Sequence, residues 1–391
     1  MENVDVSSLP TLTVITQGEV FADPRLDQVE APFIWIRPPA TFVADLSGQN
    51  FKHSLLQYHM HECHGTYRKR FANHQLFGHH HFHAVIDSSL RLTCQDIKGT
   101  LSRLDYHISH HPGRQLPIPQ IYKYDATAYR VDYSKVPDKD IVDVPGSIYF
   151  ATPTEPLNWG MWLLQALPAA WDFIENAPAE RIMIYADRPW QRSLLQTIGI
   201  PESRVVHQEL GQCYRCEDVV VRQYSHVDLV PTLSDRRLYA YVAQRFAGTA
   251  EAPARRKIFL SRKDITMKSG GRYRALLNEE ALIEALAQRG FQIVEPETLS
   301  FADQVRLFWE AELVVGLGGA ALFNVVFCKP GTRVVSIESS TNFVNGHSML
   351  FGSLGHKFGV VFGKQELDDP EPIHKAWTID VAGALAAIDR F

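Results

Sequence analysis

The stretch ELVVGLGGAALFNVVFCKPGTRVVSIE, Glu312–Glu338, decides the fold. ELVVG is a short, β-branched apolar run of the kind that fills a strand buried on both faces of a parallel sheet. Small residues follow where the backbone must turn tightly, and then an apolar helical stretch runs to near Phe327. Pro330-Gly331 stops it, and Val334, Val335 and Ile337 supply the next buried strand. The pattern predicts a strand, glycine turn, helix and strand in succession, with a carboxylate, Glu338, at the carboxyl end of the second strand. Such a turn presents backbone N–H groups at a helix N-terminus, where a phosphate can dock, and the carboxylate stands where a ribose diol could be held. Gly316, Gly318 and Ala321 also satisfy the G-x-G-x-x-A fingerprint of dinucleotide sites. The same small residues equally serve close packing of a helix on a sheet.

Outward from this unit, the chain of 391 residues has room for two or three domains. It is 45% hydrophobic and 21% charged, with a formal net charge of −5. That mild acidity speaks against a dedicated nucleic-acid binder, which needs a basic face. No apolar run offers a membrane span, and residues 1–20 lack the pattern of a signal peptide, so a cytoplasmic protein is expected. Five scattered cysteines do not make a disulfide framework. Cys213-x-x-Cys216 is a lone pair ahead of a β-like run and predicts no zinc site.

Residues 1–140 read as an irregular, β-containing segment. Twelve of the 17 histidines lie between His53 and His111. If FGHHHFHAVI is a strand, His79, His81 and His83 share one face. A metal is conceivable there, but HECH is not H-E-x-x-H, so no metal site is assigned. Residues 141–250 alternate helix and strand: an apolar helix over Asn158–Phe173 kinked or restarted at Pro168, a strand over 181–186, a helix to Ile200, a strand over 203–208 and a helix over Ser234–Ala247. A linker over 248–256 leads to a second α/β series, 251–375, and residues 376–391 read as an amphipathic helix packing back. Two α/β domains with parallel sheets, joined by a linker, are expected to face a cleft.

Within this frame, Ser261-Arg262, Arg274 with Asn278-Glu279, Gly290-Phe291, Leu299 to Gln304 and Gly316 to Asn324 follow one another as in the family 61 glycosyltransferases, annotated in bacteria as of capsular-polysaccharide type. Phe327, Pro330, Gly331 and Glu338 continue the pattern. The chain resembles that family over about 255–340, with a weaker echo over 158–168 in Asn158-Trp159, Trp162-Leu163 and Leu167-Pro168. The resemblance implies a GT-B-like architecture of two Rossmann-like domains. It also implies an inverting, metal-independent transfer from a nucleoside diphosphate sugar to a glycan or other hydroxyl acceptor, with no tightly bound cofactor. Two departures stand out: the family carries His where this chain has Gly318 and Met161, and Arg where it has Ala169.

For the donor the candidates are Arg262 and Arg274 on the diphosphate, the Gly318, Gly319 and Ala320 backbone at the turn, Asn324 bracing the turn or on the nucleotide, and Glu338 on the ribose. Glu279 is chiefly a helix-start charge. For the missing base they are Asp187, just past a strand, and the cluster imidazoles His81 and His83. An NAD-dependent oxidoreductase and an inactive nucleotide-sugar-binding protein are the alternatives. A homo-oligomer is left open.

Overall fold

In the computed structural model the described residues are 6–8, 11–14, 27–30, 33–51, 54–63, 66–78, 83–86, 91–93, 120–123, 129–132, 141–153, 155–176, 178–210, 212–224, 229–248, 255–263, 274–341, 343–366 and 375–391. The protein is a mixed α/β fold with two sheets built on parallel strands and an N-terminal β segment. The chain divides into two compact units, 1–33 with 64–227 and 34–63 with 228–391. No helix among the described residues is long and apolar enough to cross a membrane.

In the first unit, β1 (Thr66–Gly78) is followed by β2 (Ile141–Phe150), β3 (Arg181–Ile184), β4 (Val205–His207) and β5 (Cys213–Tyr224). The order β4-β3-β2-β5 is parallel, and β1 joins β5 antiparallel and carries the sheet into the short N-terminal strands. Between β2 and β3 runs one long helical stretch: α1 (Trp159–Met161), a π segment (Trp162–Ala166) and α2 (Leu167–Asn176). Asn158 caps it, its Oδ1 accepting from Gly160 N at 2.8 Å. At Pro168, where the sequence predicts a kink or restart, the chain stays helical and the winding changes from π to α one residue before it. Proline cannot donate to the carbonyl four residues back and its ring crowds that carbonyl, and the wider π turn just ahead of it accommodates both. The Tyr149 hydroxyl on β2 donates to Asp172 Oδ2 on α2 at 2.7 Å, fixing helix to sheet. α3 (Pro189–Thr197) connects β3 to β4. Cys213 and Cys216 are unbonded and buried on β5, and burial pushes their thiols up to about 11 and about 12.

The second unit opens, in its C-terminal part, with α4 (Leu233–Ala247) and continues as β6 (Arg256–Leu260), α5 (Glu279–Ala287), β7 (Gln292–Val294), α6 (Phe301–Trp309) and β8 (Ala311–Leu317). A 3-10 helix (Ala320–Phe327), β9 (Arg333–Glu338), α7 (Val344–Ser353), β10 (Lys357–Phe362) and α8 (Val381–Ile388) complete it. All strands of its sheet are parallel in the order β7-β6-β8-β9-β10, and the strand Phe42–Asp45 pairs with β10 at the edge. Leu313, Val315 and Leu317 on β8, with Val335 and Ile337 on β9, form one core with Leu282 and Leu286 of α5 and Leu385 of α8. Gly316 points to the opposite face, where a Cβ would stand 2.8 Å from Leu322 of the 3-10 helix, and α6 packs on that helix. The helix expected from 376 begins at Val381, because Trp377 is extended: its N–H donates to Ala275 O at 2.9 Å and its carbonyl accepts from Leu277 N at 2.8 Å. α8 packs on α5, β10 and the Phe42 strand.

Two consequences for stability follow from this packing. Gly359 of β10 pairs in register with Phe42, and a Cβ there would overlap the Phe42 ring. Gly359→Ala is expected to lower the unfolding free energy by about 1–3 kcal/mol in urea titrations, as overpacking does. His356 is buried, its Nε2 lies 3.0 Å from Val325 O, and its Nδ1 has no partner among the described residues. A second ring proton would be buried without an acceptor, and burial pushes the pKa down from 6.5 to about 4. The unfolded chain therefore binds the extra proton first as pH falls, so stability is complete above pH 6.5 and is lost toward pH 4. The loss should approach ~3 kcal/mol, and His356→Gln should flatten that slope in urea titrations repeated across the range.

Candidate functional site

The order β7-β6-β8 makes β6 and β8 the pair at which the second sheet reverses direction, because α5 and α6 carry the chain to opposite sides of β6. In open parallel sheets the crevice at the carboxyl ends of such a pair is where ligands bind. Here those ends are Ser261-Arg262 and Gly318-Gly319.

Glu279, in the first turn of α5, sets the first of them. Its buried Oε1 accepts from the Ser261 hydroxyl at 2.7 Å and from Arg262 N at 2.9 Å. With the backbone so fixed, the Arg262 guanidinium lies on Gly319, where any Cβ would overlap Nη1. Arg274 reaches the same turn from the other side. Its Nη2 donates to Gly318 O at 2.6 Å, and its guanidinium carbon stands 4.7 Å from the centroid of the Phe343 ring. Arg274 holds a left-handed backbone, φ 54°, which costs a non-glycine residue conformational energy. Its carbonyl accepts from Trp377 Nε1 at 3.2 Å, an anchor that helps hold this conformation.

The turn itself departs from a dinucleotide loop in three ways. Gly316 lies inside β8 and leaves room for Leu322 and Leu260. The Gly318 N–H continues the sheet ladder, donating to Ile337 O at 2.8 Å. The helix that follows is 3-10. The first amides past the glycines, Ala320 N–H and Ala321 N–H, have no hydrogen-bond partner among the described residues. Asn324 is fully buried, and its Nδ2 donates to Ala321 O at 3.1 Å, bracing this short helix.

Glu338 points inward and is only 2% exposed. Residues 336 and 338 share a face of β9, so the Ser336 hydroxyl reaches Glu338 Oε1, which His347 Nδ1 of α7 meets at 2.7 Å. The other oxygen, Oε2, fills the space a Cβ on Gly318 would need. Phe323, at 5.5 Å, and Phe351, at 5.9 Å, flank the His347 ring. Little in the residue pattern points to His347. Its one signal is a position nine residues past Glu338, which puts it within reach only once the chain has turned back from β9.

The structure thus brings Arg262, Arg274, Gly318, Gly319, Ala320, Asn324 and Glu338 to one end of one sheet. Asp187 belongs to the first unit, exposed just beyond β3, where burial and then the adjacent Asp187 carboxylate push the Tyr185 phenol up. His81 lies outside the described residues. His83 opens the strand His83–Ile86 opposite Gly78, and its side chain is likewise outside them.

No individually curated protein matches the chain. Residues 9–335, well over half of the 391, match the family described as glycosyltransferase 61. The match runs from the N-terminal β segment through both carboxyl ends at the sheet reversal and into β9. The chain belongs to glycosyltransferase family 61.

Proposed function

We propose that this protein transfers a glycosyl unit from a nucleoside diphosphate sugar to a hydroxyl acceptor, with inversion at the anomeric carbon. The observation that carries this reading is the convergence of two guanidinium groups, Arg262 and Arg274, on the Gly318-Gly319 turn at the sheet reversal. Departure of a nucleoside diphosphate builds negative charge on the β-phosphate as the glycosidic bond breaks. Planar, permanently charged donors fixed in advance at that position stabilise the charge without reorganising. The Ala320 and Ala321 amides add neutral donors on the same side. Glu338, whose carboxylate is turned away from solvent, is assigned here to holding His347 by its Nδ1.

Inversion requires a base that takes the acceptor proton as the oxygen attacks. Asp187, His81 and His83 are the candidates, and Asp187 is the one to test first because its carboxylate is exposed at the carboxyl end of its own parallel sheet. The acceptor is read as a glycan or small alcohol.

Calorimetric titration with UDP, GDP and dTDP tests the donor half. Arg262→Ala and Arg274→Ala should each weaken the tightest of these by roughly tenfold or more, the worth of a charge-assisted hydrogen bond. Affinities unchanged in both variants would place the diphosphate elsewhere. For the other half, Asp187→Asn should lower turnover by about 10²–10⁴-fold with nucleotide affinity intact. Proton NMR of the first-formed product reads the anomer directly, and retention of the donor configuration would sink the inverting assignment.

A further inference from the structure

Phe343 is a large aromatic side chain left 38% exposed beside an otherwise closed core. It stands five residues past the carboxyl end of β9, as the residue that caps α7. One guanidinium, that of Arg274, touches both this ring and the Gly318 carbonyl. The ring and the proposed diphosphate cradle are therefore contiguous, linked through a single side chain whose backbone is held in a strained conformation.

We infer that Phe343 is the platform on which the nucleobase of the donor stacks, with the Arg274 guanidinium lining the same subsite. This rests on the diphosphate site proposed above and adds the part of the ligand that site does not explain. Guanidinium groups and amides recognise phosphate whatever is attached to it, so they would accept a diphosphate on a lipid as readily as one on a nucleoside. A partly exposed aromatic ring beside them, with the Arg274 guanidinium over it, adds a surface that suits a flat heteroaromatic ring. Stacking of a base on an aromatic side chain is tolerant of base identity and is lost with the ring. Arginine is suited to lie against both the phenyl ring and a base, since its planar cation stacks on π-faces. The inner part of Phe343 approaches His347 with ring centroids 6.4 Å apart, so a second role, shielding that imidazole from water, has to be separated by experiment.

Calorimetry on the full chain with UDP, GDP, dTDP and inorganic pyrophosphate makes the separation, using Phe343→Leu and Phe343→Trp beside the parent. Leucine keeps the apolar cover but has no π-face, and tryptophan keeps the face. Thermal melts confirm that both variants are folded. The expected result is that Phe343→Leu weakens the nucleoside diphosphates by about five- to a hundredfold, that Phe343→Trp restores them, and that pyrophosphate binds all three proteins equally. Nucleotide affinity unchanged in Phe343→Leu overturns the platform while leaving the diphosphate site standing. Pyrophosphate binding to the parent with no gain from any nucleoside does the same. A parent chain that binds neither pyrophosphate nor nucleotide overturns the donor site and the platform together.

Discussion

Two missing β-carbons hold the carboxyl end of the second sheet together. At Gly318 the vacated space is filled by the Glu338 carboxylate, and at Gly319 by the Arg262 guanidinium. A side chain at either position would drive out a charged group that other residues have fixed in place: Ser336 and His347 for the carboxylate, the backbone set by Glu279 for the guanidinium. Opposite charges thus approach one turn from its two ends, and the turn can carry neither bulk nor a different backbone path. Volume here is as tightly specified as in a packed core, although the groups concerned are ionic.

The consequence is a division of labour by charge. The negative groups, Glu279 and Glu338, face inward and act on neighbouring protein groups. The positive groups converge on the turn, with Arg274 kept there by a strained backbone and the Trp377 indole. A site ordered in this way presents cationic and N–H donors to a ligand and keeps its own carboxylates from repelling it, which suits an anionic ligand. Strain at Arg274 is sustained because residues far along the chain over-determine it, Trp377 being 103 residues later.

Much of this was legible from residue pattern. The β-branched runs at Leu313–Val315 and Val334–Ile337 became central strands, and the stop at Pro330-Gly331 fell between the 3-10 helix and β9. Arg262 is readable as a residue just past a parallel strand, and Gly318 as part of the glycine turn. What the pattern hid had long-range or geometric causes. Phe42–Asp45 pairs with β10 across more than three hundred residues, and no local propensity encodes that partner. The run after Gly319 is apolar in either kind of helix, so its 3-10 winding was not readable. Glu338 looked like an open ligand because strand ends usually are. Its inward turn depends on the glycine opposite and on a histidine whose role only tertiary packing reveals.

The two departures from the family pattern can be weighed on the same footing. Met161 closes α1 ahead of the π segment. Gly318 is different. A histidine at 318 and the inward Glu338 carboxylate exclude each other, since the first atom of that side chain would overlap Oε2. With glycine at 318 the carboxylate occupies that space, and its other oxygen meets the imidazole of His347. The histidine is absent from the turn, yet the end of the sheet still holds one, packed between Phe323 and Phe351 and bonded to a buried acid. Read as isolated positions, the glycine is a loss. Read with the groups it touches, it makes room for the buried acid that meets His347.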